Sequence, residues 1–90
     1  MQHLTNKHKN ITKAVAKIVK QLREKTGLSA TKFADSFGIV KSKVLRIEDG
    51  SVQCKLVSIW EVANALGMKC SELVAIIEQE LGDDFTLIDE

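Results

Sequence analysis

Not one proline interrupts these 90 residues, so no ring clash or missing N–H donor ends a helix anywhere in the chain. No apolar run approaches the roughly 20 residues of a membrane-spanning helix, and no secretory pattern opens the sequence, so a cytoplasmic protein is expected. The two cysteines, Cys54 and Cys70, form no CxxC and join no Cys/His cluster. A zinc site therefore lacks its ligand spacing, and buried or idle thiols are favoured over a disulfide. Both histidines, His3 and His8, sit in the polar start of the chain, where no nucleophile has a paired base, and no Gly-rich phosphate loop is found. Nothing here supports catalysis, and neither metal nor cofactor is implied. Strand alternation, internal repeats and low-complexity segments are missing too.

What the chain does have is helical periodicity cut by glycine. Gly27, Gly38, Gly50, Gly67 and Gly82 each follow a segment of helical spacing, and five stops imply five helices. Ile11, Val15, Ile18, Val19 and Leu22 recur at i, i+4, i+7, i+8 and i+11 after Asn10, a plausible N-cap, and predict the first helix. Its other faces carry Lys13, Lys17, Lys20 and Arg23. Ser29 caps a second helix with Phe33, Ala34 and Phe37 on one side, and a third puts Val40, Val44 and Ile47 inward. Gly38 stands where the chain must reverse between these two, a position that favours a residue tolerating positive φ. Leu56, Ile59, Trp60, Ala63 and Leu66 give the fourth helix its apolar stripe, with Trp60 read as core or dimer contact. The short connections predict a compact all-α unit.

Net charge is +1 overall but is segregated along the chain. Residues 1–46 hold eleven Lys/Arg against two acids, and residues 47–90 hold two Lys against ten acids. A basic half suits a polyanion and an acidic half the side kept away from it; the plainer reading is a solvated surface with uneven halves.

The stretch from Leu28 to Gly50, LSATKFADSFGIVKSKVLRIEDG, resembles the Cro/C1-type helix-turn-helix domains of the XRE family through Leu28, Ser29, Phe33, Ala34, Gly38, Ile39, Val44, Glu48 and Gly50. The segment SIWEVANALGMKCSELV is similar to that family's closing pattern, so the likeness spans roughly residues 15–74. It implies a five-helix, lambda-repressor-like DNA-binding domain over 10–82, with the helix-turn-helix unit at 29–49, a flexible basic arm at 1–9 and an acidic, apolar tail at 83–90.

Carried over by position, the resemblance implies that Lys41, Ser42, Lys43 and Arg46 read base edges. Arg46 has the geometry to grip guanine O6 and N7, Lys43 reaches guanine or phosphate, and Ser42 donates or accepts. Leu45 is either a thymine-methyl contact or a peripheral core residue. Lys32, Lys55 and Lys20 are the candidate phosphate contacts. Glu48 reads as a structural acid bound to a nearby donor. Three positions depart from the pattern. Ala30 replaces a Gln that contacts phosphate and braces the reading helix, Asp49 replaces a neutral or basic residue, and Val40 replaces a capping Ser or Thr. Either the third helix starts uncapped, at a cost of about 1 kcal/mol, or Ser42 caps a start two residues later.

The fifth helix carries Leu73, Ile77 and Leu81 at i, i+4 and i+8. These side chains either pack against a symmetry mate as a dimer interface or close the chain's own core. The tail, with Phe85, Leu87 and Ile88, lies over its own domain or a partner, or is disordered. The functional expectation is a dimeric regulator on a palindromic operator in double-stranded DNA, most simply a repressor. The alternative is an antitoxin or protein-interaction module whose tail holds a toxin, or a regulator that contacts polymerase.

Overall fold

Five helices carry the chain in order: α1 (Asn6–Lys25), α2 (Ala30–Phe37), α3 (Lys41–Asp49), α4 (Leu56–Ala65) and α5 (Cys70–Leu81). They are seen in a computed structural model that describes residues 6–88, among which there is no strand. Glycine supplies the expected stops. Gly38 takes φ 68° and ψ 27°, and the Ile39 N–H then closes back on the Ala34 carbonyl at 2.9 Å, which satisfies a carbonyl left open at the end of α2. Gly50 repeats the device after α3 at φ 72°, with the Ser51 N–H reaching the Arg46 carbonyl at 3.3 Å. At the start of α2, Ser29 Oγ accepts from the Lys32 N–H at 3.1 Å.

α1 starts earlier than the sequence predicts. Asn10 caps nothing; the helix runs back to Asn6, because no glycine or proline in Asn6–Asn10 opposes it. Residues 6–9 therefore belong to α1 and not to a flexible arm, while residues 1–5 of that arm lie outside the described residues. The tail folds onto its own domain. Phe85 and Leu87 border an apolar cavity of about 400 Å³ with Ile11, Val15, Val74, Ile77 and Leu81, and Lys7 Nζ donates to the Ile88 carbonyl at 3.4 Å.

The core has two parts. The larger joins Val15, Ile18 and Val19 of α1 with Ile47 of α3, Ile59, Val62 and Ala63 of α4, and Cys70, Leu73 and Ile77 of α5. The smaller lies beneath the α2–α3 turn and holds Phe33, Ala34, Ile39 and Val44. Leu66 touches both. α3 spans the two, giving Val44 to one and Ile47 to the other, so its rotation about its own axis is fixed from both sides.

Four apolar positions outside α5 depart from their expected places. Val40, expected inward with Val44 and Ile47, stands at the N-cap of α3 and is 64% exposed. Phe37 is half exposed, its ring tilted against Phe33 at a centroid distance of 5.3 Å. In α4 the buried line is Ile59, Val62 and Ala63, and this rotation of the helix leaves Leu56 and Trp60 facing water. In α5 the correction concerns the dimer interface expected at Leu73, Ile77 and Leu81. Leu73 is 0% exposed and Ile77 is buried, with Leu81 partly covered beside them. Leu73 and Ile77 close their own chain's core against α1 and α4, and Leu81 keeps part of its surface open. Both cysteines are free, Cys70 buried and Cys54 half-buried. Burial pushes the Cys54 thiol pKa above its ordinary value.

Candidate nucleic-acid interface

α3 begins without a side-chain cap. Val40 is the N-cap residue and offers no oxygen; the Lys43 and Val44 N–H groups turn to its backbone carbonyl at 3.0 and 3.4 Å. Ser42 is thus inside the helix and exposed.

The C-terminal half is tied down by charge. Glu48 takes Arg23 in a two-bond grip, Nε to Oε2 at 2.6 Å and Nη2 to Oε1 at 2.8 Å, and Arg23 Nη1 also donates to the Leu28 carbonyl at 2.7 Å. Arg23 is 9% exposed, so the pair sits where water competes weakly and its paired bonds are strong. The carboxylate raises the guanidinium pKa above its already high ordinary value. Glu48 is the structural acid that the sequence implies. Arg23 was placed with the solvent-facing lysines of α1, yet it falls four residues after Val19 and eight after Val15, on the buried line. That spacing was the available signal.

With Val44 and Ile47 inward, α3 turns Lys41, Ser42, Leu45 and Arg46 outward. Leu45 is 44% exposed, on the outer face and not in the peripheral core. Ser42, Lys43 and Arg46 line one cleft with Lys55 and Ser58 from the start of α4. The structure thereby brings Lys55 together with three of the reading candidates. Lys32, in the first turn of α2, and Lys20, on α1, are exposed but line no part of this cleft.

Two contacts flanking the cleft are not legible in the sequence. Lys43 Nζ meets Glu61 Oε1 of α4 at 3.0 Å, both side chains being a little over one-third exposed. Asp49, on the outer face behind Arg46, uses its carboxylate to accept the Ser51 N–H at 2.8 Å. The Ser51 side-chain hydroxyl, then this backbone bond, then the nearby Arg46 charge hold its pKa below the ordinary aspartate value. Ala30 packs against the Phe33 cluster and makes no polar brace to α3.

The arrangement is a short helix, anchored on one side and polar and cationic on the other, flanked by a further lysine from the next element. Such a helix fits the major groove of B-DNA, where base edges are distinguishable. The architecture is similar to the crystal structure of an HTH_3 family transcriptional regulator from Vibrio cholerae, with a TM-score of 0.65 and 26% identity over 73% of this chain and 38% of that one. The chain thus aligns with well under half of that regulator's length. No family model and no curated protein sequence matches the chain.

Proposed function

We propose, taking the helix-turn-helix fold as premise, that this chain binds double-stranded DNA sequence-specifically as a dimeric transcriptional regulator. The observation that carries this reading is the placement of α3. Its inner residues are locked into two cores while Ser42, Leu45 and Arg46 stand outward beside Lys43 and Lys55. The N-terminal part of α3 enters the major groove and α2 lies across the backbone. Arg46 grips a guanine, Ser42 bonds a base edge or phosphate, Leu45 meets a thymine methyl, and Lys55 neutralises a phosphate. Lys41 at the helix start reaches a base edge.

One such domain reads few base pairs, so two copies on a palindrome with half-sites about 34 Å apart supply affinity and specificity. A dimer covering a promoter represses, and a regulator of this kind works in the cytoplasm. The tail favours this reading over an antitoxin segment, since Phe85 is spent on the chain's own domain.

The test is selection from a random duplex library at moderate salt, with the bound fraction sequenced. A two-fold symmetric motif supports the reading, and Arg46→Ala then erases preference at one position in each half-site. A library that emerges without any motif refutes it.

A further inference from the structure

The larger core does not close completely. Between α1, the loop before α4, α5 and the tail it leaves the cavity of about 400 Å³, partly enclosed and lined mostly by apolar side chains. Well-packed interiors keep few voids larger than one water, and this space is many times that. Short side chains, Val15, Cys54 and Val74, stand where longer ones would fill it. Thr12 also faces it, with its hydroxyl already donating to the His8 carbonyl at 2.8 Å. At the mouth are Gln53 and Glu78, both exposed, and neither side chain has a hydrogen bond or ion pair among the described residues. An apolar hollow of roughly 300–1,000 Å³ with a few open polar groups is the usual form of a small-molecule site.

We propose that this cavity binds an uncharged, hydrocarbon-rich small molecule of about fifteen non-hydrogen atoms that carries one N–H or O–H donor. The size is what the space holds at interior packing density. The donor is set by the mouth, where the Glu78 carboxylate and the Gln53 amide oxygen both accept. An anionic head would meet the Glu78 charge and be repelled.

Other occupants fit less well. Water needs about two to four polar partners to be held, and the walls behind the mouth offer few. A partner helix is too large, since two turns about 10 Å across take up roughly 850 Å³. The chain itself has little left to put there, because residues 1–5 and 89–90 contribute Met1 and Leu4 as their only large apolar side chains. Gln53 and Cys54 line this cavity and also the cleft of Lys43, Arg46 and Lys55. The ligand therefore lies behind the face assigned to DNA, although its binding does not depend on that reading.

The test uses N-phenyl-1-naphthylamine, an uncharged probe of this size with one N–H, whose emission rises when it leaves water. Titrated into the full chain, it should bind once per chain with a severalfold rise in emission. It should also slow modification of Cys54 by methyl methanethiosulfonate severalfold, read by mass on the Cys54 peptide. Val74→Phe fills the space and should remove the emission rise with unchanged helical circular dichroism; if that variant does not fold, Cys54 protection in the wild type decides. Val57→Glu, on the exposed side of α4 with Leu56 and Trp60, should bind the probe as the wild type does, which separates the cavity from that rival apolar surface. No binding overturns the proposal, as does binding that leaves Cys54 reactivity unaltered, survives Val74→Phe in a folded chain, or is abolished by Val57→Glu. Decanoate displacing the probe as well as decan-1-ol overturns the uncharged class of ligand. None of these measurements uses DNA, so a chain that binds the probe yet enriches no duplex motif keeps this site and loses the DNA reading.

Discussion

Removing the Glu48 carboxylate, as Glu48→Ala, leaves the Arg23 guanidinium without two of its three bonds at a position 9% exposed. Each buried donor left without a partner costs about 1–3 kcal/mol, and more when charged. The truncation also vacates space that water can enter, which recovers part of the loss. We expect about 3 kcal/mol of destabilisation, in line with the ~3–5 kcal/mol for breaking a buried pair. That is a large fraction of the total, since a chain of this length has on the order of 5–13 kcal/mol to lose. It corresponds to a fall in Tm of roughly 12–20 °C.

Urea denaturation followed by far-UV circular dichroism gives the number directly. A double-mutant cycle with Arg23→Ala should then show strong coupling, because once one partner is gone the other has little left to lose. The apolar exchange Arg23→Met with Glu48→Leu should be nearly neutral, since both charges and both desolvation costs leave together. The raised Arg23 pKa adds stability that is full below the unfolded value and is lost only as pH rises through the folded one; both lie far into the alkaline range, so no slope near neutrality arises from it. A Glu48→Ala cost below about 1 kcal/mol, the value of a surface pair, would refute the reasoning.

The other predictions are smaller or concern binding. Lys17–Glu80, at 2.9 Å but with side chains 53% and 33% exposed, should show coupling under about 1 kcal/mol that disappears in molar salt, unlike the Arg23–Glu48 coupling. Gly38→Ala meets no atom within 4 Å yet must hold φ 68°, so it should destabilise by about 1–2 kcal/mol in the same urea assay. Asp49 has a depressed pKa, so its turn-holding bond is intact above the unfolded carboxylate value and is lost as pH falls through the folded one. The Ser51 amide resonance should titrate with a midpoint below the ordinary aspartate value, and Asp49→Asn should abolish that titration. Glu61→Gln frees Lys43 from its ion pair, so fluorescence anisotropy should show tighter duplex binding and a salt slope steeper by about one phosphate contact; unchanged affinity and slope would mean that Lys43 stays clear of DNA.

How much of this was legible in the residues depends on the range of the interaction. The five stops, the helix-turn-helix and the inward Val44 and Ile47 come from local spacing and φ preference, which a linear sequence carries. Pairing across elements does not come that way. Lys43 reads as a DNA contact and Arg23 as one more cation on α1, yet one bridges to α4 eighteen residues on and the other to α3 twenty-five residues on. Helix orientation shows the same limit. An apolar stripe on α4 can be drawn through Leu56 and Trp60 or through Ile59, Val62 and Ala63, and only the neighbouring helices choose between them. The apolar face left open to water is therefore on α4, while Leu73 and Ile77 of α5 are buried.

The three departures from the family pattern acquire a common physical sense. Val40 forgoes a cap and Ala30 forgoes a polar brace, each loosening the start of α3, while the far end gains the Arg23–Glu48 grip and the turn held by Asp49. A helix of nine residues is too short to be stable by itself, so tertiary anchors must supply what its N-terminus lacks. They do so at Val44, Ile47 and Glu48, all on the inner side and in the C-terminal two-thirds of α3. The first turn, where Lys41, Ser42 and Lys43 stand, is held only by its own backbone and the Lys43–Glu61 contact. Adding an oxygen cap as Val40→Ser tests this division. It should raise stability by about 1 kcal/mol in urea and leave the Arg23–Glu48 coupling untouched, whereas no gain would mean that the Val40 carbonyl already meets the needs of that turn.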